Sequence, residues 1–277
     1  MRTTEDRKRD FSELPEDEDT VDTVIEMNRF NVWYHDFHVL KDFHVRFQKQ
    51  QIACIIGPSG SGKSTLIRSI NRMNDDMDGF FYQGDILFHG HTHTCSVYHT
   101  STNANHLRAR IGMVFQKPCV FPGSVYENVL FGVKYVKRHS KHEKQCIVEE
   151  NLKAVSLWDE VSNRLQEKAA VLSIGQQQRL CLARTLAVKP EVILLDEPTS
   201  SLDPLSTLAI ENLMLQLKKR YTIIFVTHNI AQARRIADFI VFMCDGKVIE
   251  QGTRKKLFSN PENQQTKEYL SDEYCEC

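Results

Sequence analysis

The apolar positions of this chain fall into short, dense runs separated by polar turns. Residues 52–56, 192–195, 223–226 and 239–243 are each almost wholly apolar and of strand length. A continuous run of that length predicts a strand covered on both faces, as in the middle of a parallel sheet. Elsewhere the pattern alternates. Residues 23–27, 30–34 and 43–47 read as short strands by alternation and β-propensity, and 84–90 as another between turns. Lying before residue 52, the first three predict a small antiparallel layer. Residues 111–114 form a strand that leads to Gln116 and is stopped by Pro118. From 124 to 165 the period becomes helical: Val125, Val129 and Val133 recur on one face, as do Val148, Leu152 and Val155. A helical subdomain is therefore expected between two parts of the sheet. Helices over 177–188 and 205–217 follow, the first ended by Lys189 and Pro190.

Chemistry enters between the first buried run and the helix after it. Gly57, Pro58, Ser59, Gly60, Ser61, Gly62, Lys63 and Ser64 make a glycine loop that runs into a helical pattern through Leu66, Ile67 and Ile70, with Thr65 counted among the cofactor-binding residues. Such a loop turns its N–H groups inward around a polyphosphate, and the helix end adds more donors and a positive dipole. Lys63 reaches the β- and γ-phosphates, and the Ser64 hydroxyl completes the coordination of Mg²⁺. The run 192–195 delivers Asp196 and Glu197 to its carboxyl end, where ligands of open α/β sheets bind. Asp196 is expected to hold Mg²⁺, and Glu197 to accept a proton from the attacking water. The strand 223–226 presents His228, which can hydrogen-bond a phosphate oxygen. Gln116 can ligate Mg²⁺ and orient water through its carbonyl oxygen, although taken alone a capping or turn role explains it better. Leu172-Ser173-Ile174-Gly175-Gln176 precedes a helix and offers a second anion site, or simply a serine cap. Tyr34, on pattern alone, is a sheet residue.

Composition narrows the class. The formal net charge of −1 gives no footprint for nucleic acid, and 41% hydrophobic with 26% charged residues is ordinary for a globular protein. No run approaches the ~20 apolar residues of a membrane-spanning helix. Residues 1–20 are crowded with charge, lack the apolar centre of a signal peptide, and read as a disordered tail. Eight cysteines without CxxC spacing read as reduced thiols of a cytoplasmic protein. His91, His93, Cys95 and His99 match no metal-site spacing, so 91–105 reads as a surface loop.

In this order, GPSGSGKS, Gln116, LSIGQ, VILLDE, SSLD and His228 resemble the ATP-binding cassette (ABC) ATPases over residues 22–260. The resemblance implies an α/β fold: a P-loop NTPase ABC nucleotide-binding domain with a mixed central sheet, an antiparallel β layer and an inserted α-helical subdomain. It places the ATPase domain at 21–260, the helical subdomain at about 117–175 and a C-terminal tail at 261–277. It implies ATP and Mg²⁺ as cofactors, with ATP held between the glycine loop of one copy and Ser173, Gly175 and Gln176 of another in a homodimer. Tyr34 matches the aromatic that stacks on adenine in that family. The segments GDILFHG, RIGMVFQKP, FPGSVYENVLFGVK and QQQRLCLARTLAVKPEVILLDEPTSSLDP are similar to ATPase subunits of bacterial phosphate importers.

That likeness implies two transmembrane permease subunits, an extracytoplasmic phosphate-binding protein, no nucleic acid, and a peripheral place on the cytoplasmic face of the inner membrane. The cargo rests on the resemblance alone. An importer of another small solute, or a slow regulatory cassette, keeps the same motifs. Three departures stand out. Ile174 replaces a usual glycine and is expected to stiffen the backbone and slow hydrolysis, a His-rich loop occupies 91–105, and Cys119 replaces a common polar residue.

Overall fold

The computed structural model describes residues 23–136 and 138–271; the charged stretch 1–20 lies outside them. The chain opens with a long hairpin, β1 (Thr23–Tyr34) and β2 (Phe37–Gln48), and then enters the buried strand β3 (Ile52–Ile56). The stretches 23–27 and 30–34, expected as separate strands, are one strand with irregular register near Phe30. After α1 (Lys63–Ile70) come β4 (Phe80–His89), β5 (Thr94–Ser96), α2 (Ala104–Arg110) and β6 (Ile111–Val114). Four helices follow without a strand: α3 (Val125–Leu130), α4 (Val133–Val136), α5 (Lys141–Ala154) and α6 (Trp158–Val161). The remainder alternates: α7 (Ile174–Leu186), β7 (Val192–Asp196), α8 (Pro204–Leu217), β8 (Thr222–Val226), α9 (Ile230–Ile236), β9 (Phe239–Cys244), β10 (Lys247–Thr253), α10 (Arg254–Ser259) and α11 (Gln264–Leu270).

The strands form two sheets, one of four in the order β2-β1-β4-β5 and one of six in the order β10-β9-β3-β8-β7-β6. The small sheet is antiparallel throughout, whereas the large one is parallel except for β10 against β9. The apolar runs explain this. Along β3, Ile52, Cys54 and Ile56 join one core, with α3, α5, α7 and α8, while Ala53 and Ile55 join the other, with α1 and the antiparallel sheet. A strand with a core on each side has no position left for a polar residue.

Side chains fix the helix starts. Ser124 with Glu127, Ser140 with Glu143 and Ser173 with Gln176 each form a reciprocal capping box, which satisfies N–H groups the helix itself leaves open. Glu211 of α8 is buried and takes a two-pronged bond from Arg235 of α9, at 2.8 and 2.6 Å, which ties together the helices flanking β8.

Two expectations are corrected. Helix α7 starts at Ile174 rather than 177, because the Ser173 cap recruits the next three residues into its first turn. The segment from 261, expected as a tail, contains α11. The Glu250 carboxylate accepts the N–H groups of Glu262 and Asn263 just before it, and Tyr269 stacks on Phe242 with ring centroids 4.7 Å apart. Thr266 and Tyr269 are the buried positions of this short polar helix, too few to leave a periodic signal.

The turn between β9 and β10 pins the two sheets to the glycine loop. Gly246 N–H donates to the Ser61 carbonyl at 3.2 Å, and its own carbonyl accepts from Lys41 N–H at 2.8 Å. Gly246 has φ +74°, and a Cβ there would collide with the Val39 carbonyl. Gly246→Ala is therefore expected to cost about 1–3 kcal/mol, read as a lower urea midpoint with an unchanged slope.

Candidate functional site

The glycine loop joins β3 to α1 at the carboxyl edge of the large sheet, with the ends of β7 and β8 beside it. Gly57 is required by crowding, since a Cβ there would overlap the Met243 carbonyl of β9. Lys63 is 6% exposed, and its ammonium donates to the Gly57 and Pro58 carbonyls at 2.8 and 2.7 Å. Burial lowers its pKa, while the negative charges of Glu197 and Asp196 pull it back up. Ser59 and Gly60 lie exposed at the loop's crest, and Gly62 caps α1 in the left-handed conformation. The Ser61 hydroxyl is buried without a hydrogen-bond partner among the described residues. A buried, unmatched donor, a buried ammonium and a helix start facing one cradle fit a polyphosphate.

Asp196 ends β7 with only 2% of its surface exposed. Its Oδ1 accepts the Ser64 hydroxyl at 2.9 Å, and its Oδ2 accepts Arg68 at 3.0 Å. A hydroxyl and a carboxylate held together are hard oxygen donors of the kind Mg²⁺ takes. No motif in the sequence marks Arg68, although it lies four residues after Ser64 on α1 and so shares its face.

The next residue leaves the strand abruptly. Glu197 has φ +45°, and its N–H donates to the Val226 carbonyl at 3.1 Å. A left-handed backbone at a glutamate is strained, and this conformation turns its side chain away from the strand axis. Its Oε2 accepts Gln116 Nε2 at 3.0 Å and pairs with His228 Nδ1 at 3.2 Å, the imidazole donating when Nδ1 carries the proton. Gln116 therefore meets Glu197 rather than the Ser64–Asp196 pair.

Tyr34 is half-buried beside this centre. Burial raises the pKa of its hydroxyl, while the Thr65 side chain and the Arg68 charge oppose that rise. Its ring lies 5.9 Å from that of Phe80.

Ser173, Gly175 and Gln176 are not brought to the glycine loop of the same chain. Ser173 and Gln176 bond each other across the first turn of α7, and Gln176 Nε2 reaches Glu160 at 2.8 Å. Gly175 lies against Ser206, so a Cβ there would meet its hydroxyl at 3.1 Å. Ile174 has a helical backbone and is 53% exposed. The backbone restriction foreseen for it does not arise, because a β-branched residue fits the first helical position and no positive φ is needed there.

The histidine-rich stretch includes β5 and lines a cavity of about 890 Å³ with Arg110 and Glu191. No group of three His, Cys, Asp or Glu among the described residues is arranged to hold a metal ion. Cys54, Cys95, Cys119, Cys146 and Cys181 are free, whereas Cys244 is disulfide-bonded, which corrects the expectation of thiols throughout. No helix among the described residues is long and apolar enough to cross a membrane.

Comparison with known proteins agrees with this geometry. The ABC transporter family model matches residues 40–200. The phosphate import ATP-binding protein PstB of Thermotoga maritima is 50% identical over 251 residues, covering 91% of this chain and 98% of that protein. Phosphate import ATP-binding protein PstB 2 of Aliivibrio fischeri is 47% identical over 91% of each chain. Among solved structures, cbiO1 from Clostridium perfringens, part of the ABC transporter complex cbiONQ, superposes with a TM-score of 0.74 at 31% identity, covering 87% of this chain and 92% of that one. The dimeric, post-hydrolysis form of the ATP-binding cassette MJ0796, bound to ADP and Pi, gives 0.69 at 28%, covering 83% and 98%. The chain belongs to the ABC transporter family, as one of its ATP-binding proteins.

Proposed function

We propose that this chain is the ATP-hydrolysing subunit of a phosphate importer, working as a homodimer beneath two permease subunits and fed by a phosphate-binding protein. The observation that carries the catalytic part is the convergence of Gln116 and His228 on one oxygen of Glu197, next to the bond from Ser64 to the buried Asp196. The phosphate assignment is supported by 50% identity to a phosphate import ATP-binding protein along nearly the whole chain.

In this reading Gly57, Pro58, Ser59, Gly60, Ser61, Gly62 and Thr65 wrap the phosphates with backbone and hydroxyl donors. Lys63 exchanges its two loop carbonyls for phosphate oxygens. That exchange replaces neutral acceptors by charged ones, and charge-assisted bonds are roughly twice as strong. Ser64 and Asp196 would hold Mg²⁺, which supplies charge neutralisation at the β- and γ-phosphates when bound. Tyr34 offers its ring to the adenine.

Glu197 accepts a proton on Oε1, because Oε2 is already committed to Gln116 and His228. Those two donors fix the carboxylate, so little reorganisation is left for the moment of reaction. Ser173 and Gln176, whose side chains bond each other, and Gly175 serve the nucleotide of the second copy. Docked on its permease, the pair lies on the cytoplasmic face of the inner membrane.

Two outcomes follow. Glu197→Gln keeps the shape and both bonding partners but is a far weaker base; turnover is expected to fall by ~10²–10⁴ while ATP binding, followed by fluorescent nucleotide titration, persists. Unchanged turnover would remove Glu197 as the base. Radiolabelled phosphate uptake by phosphate-starved cells is expected to vanish with Lys63→Ala. Retained uptake alongside lost ATPase activity would leave the enzyme standing and sink the phosphate cargo.

A further inference from the structure

Helix α7 and the loop after β6 meet along one line of residues. Gln178 Nε2 donates to the Phe115 carbonyl at 3.1 Å. Three residues on, Cys181 faces the stretch of the loop that holds Cys119, close enough for that residue to act on the titration of its thiol. After three more, the Arg184 guanidinium lies 4.2 Å over the Phe121 ring, while Phe121 N–H donates to Asn128 of α3 at 2.8 Å. Positions 178, 181 and 184 are neighbours on one helix face, and they meet 115, 119 and 121 in turn. This register sets two free cysteines side by side, Cys119 exposed and Cys181 97% covered. The Arg184 charge opposes the effect of burial on the Cys181 thiol.

We propose that Cys119 and Cys181 are a peroxide-oxidisable pair whose disulfide ties the Gln116 loop to α7 and slows ATP turnover. The exposed Cys119 thiolate attacks a peroxide oxygen; the O–O bond breaks, Cys119 becomes a sulfenic acid, and hydroxide leaves to be protonated to water. The Cys181 sulfur then attacks the Cys119 sulfur. The S–O bond breaks, the S–S bond forms, and the hydroxide leaves with the Cys181 proton as a second water. Two thiols lose two electrons, and one hydrogen peroxide becomes two waters. Burial raises the pKa of Cys181, which suits it to the second step rather than the first.

The consequence follows from what the two segments carry. The loop holds Gln116 against Glu197, and α7 carries Ser173 and Gln176 at its start. A covalent strut between them stops the loop from shifting against the helix, and steps that need such shifts set the rate in many enzymes.

The test treats the purified full chain with hydrogen peroxide and digests it with trypsin. The expected product is a species joining peptide 111–134 to peptide 180–184, two hydrogens lighter than their sum and split by dithiothreitol. ATP turnover should fall several-fold and recover on reduction. Cys119→Ser should remove both the linked species and the sensitivity, and Cys181→Ser should leave Cys119 to overoxidise to sulfinic acid. Overoxidation of Cys119 in the native chain without a linked species would overturn the proposal, as would equal peroxide sensitivity of Cys119→Ser. The linked peptide is read without reference to ATP, so failure of the ATPase reading would leave this result interpretable.

Discussion

A carboxylate with almost no contact with water must be matched, and Asp196 at the end of β7 is that carboxylate. Only 2% exposed, it is held by the Ser64 hydroxyl on one oxygen and the Arg68 guanidinium on the other. Both partners come from α1, so the requirement sets the rotation of that helix over the sheet. Removing one partner of a buried charge typically costs more than the pair contributes, because the remaining charge is stranded. The glycine loop between β3 and α1 inherits its shape from this anchor at one end and from the Met243 carbonyl and the Gly246 turn on its flank.

Glu197 shows how closely the chemistry is bound to that anchor. One residue past Asp196 the backbone adopts a left-handed conformation that only the surrounding bonds can sustain. Gln116 and His228 then arrive from the ends of two other strands, β6 and β8, to hold the carboxylate from both sides. Three parallel strands thus deliver one constellation at one edge, the usual gain of open α/β sheets. The histidine-rich stretch lies apart from it, packed about Arg110 and Glu191, whose guanidinium and carboxylate meet at 2.6 Å.

The helical region is joined to this edge in a different way. Its first segment is the loop carrying Gln116, which rests on α7 through Gln178, Cys181 and Arg184. Because α7 also presents Ser173 and Gln176 at its start, a shift of the loop along α7 changes where Gln116 lies relative to that helix end. Capping boxes at Ser124, Ser140 and Ser173 give these helices sharp, well-bounded starts.

The sequence alone determined whatever depends on local order. Continuous apolar runs revealed the buried strands because a core on each face excludes polar positions. The glycine loop, Asp196, Glu197 and His228 were legible because their chemistry is set by a short motif at a strand end. Tertiary structure decided the rest. Arg68 became part of the site because a helix face was turned toward a buried charge, and Gln116 was assigned to Glu197 by the approach of two strand ends. Ile174 proved unstrained because its cap had already made the position helical, and α11 joined the fold through the buried Thr266 and the Tyr269 ring stacked on Phe242. Cys119 and Cys181 stand 62 residues apart in the chain, and only the packing of a loop on a helix makes them neighbours.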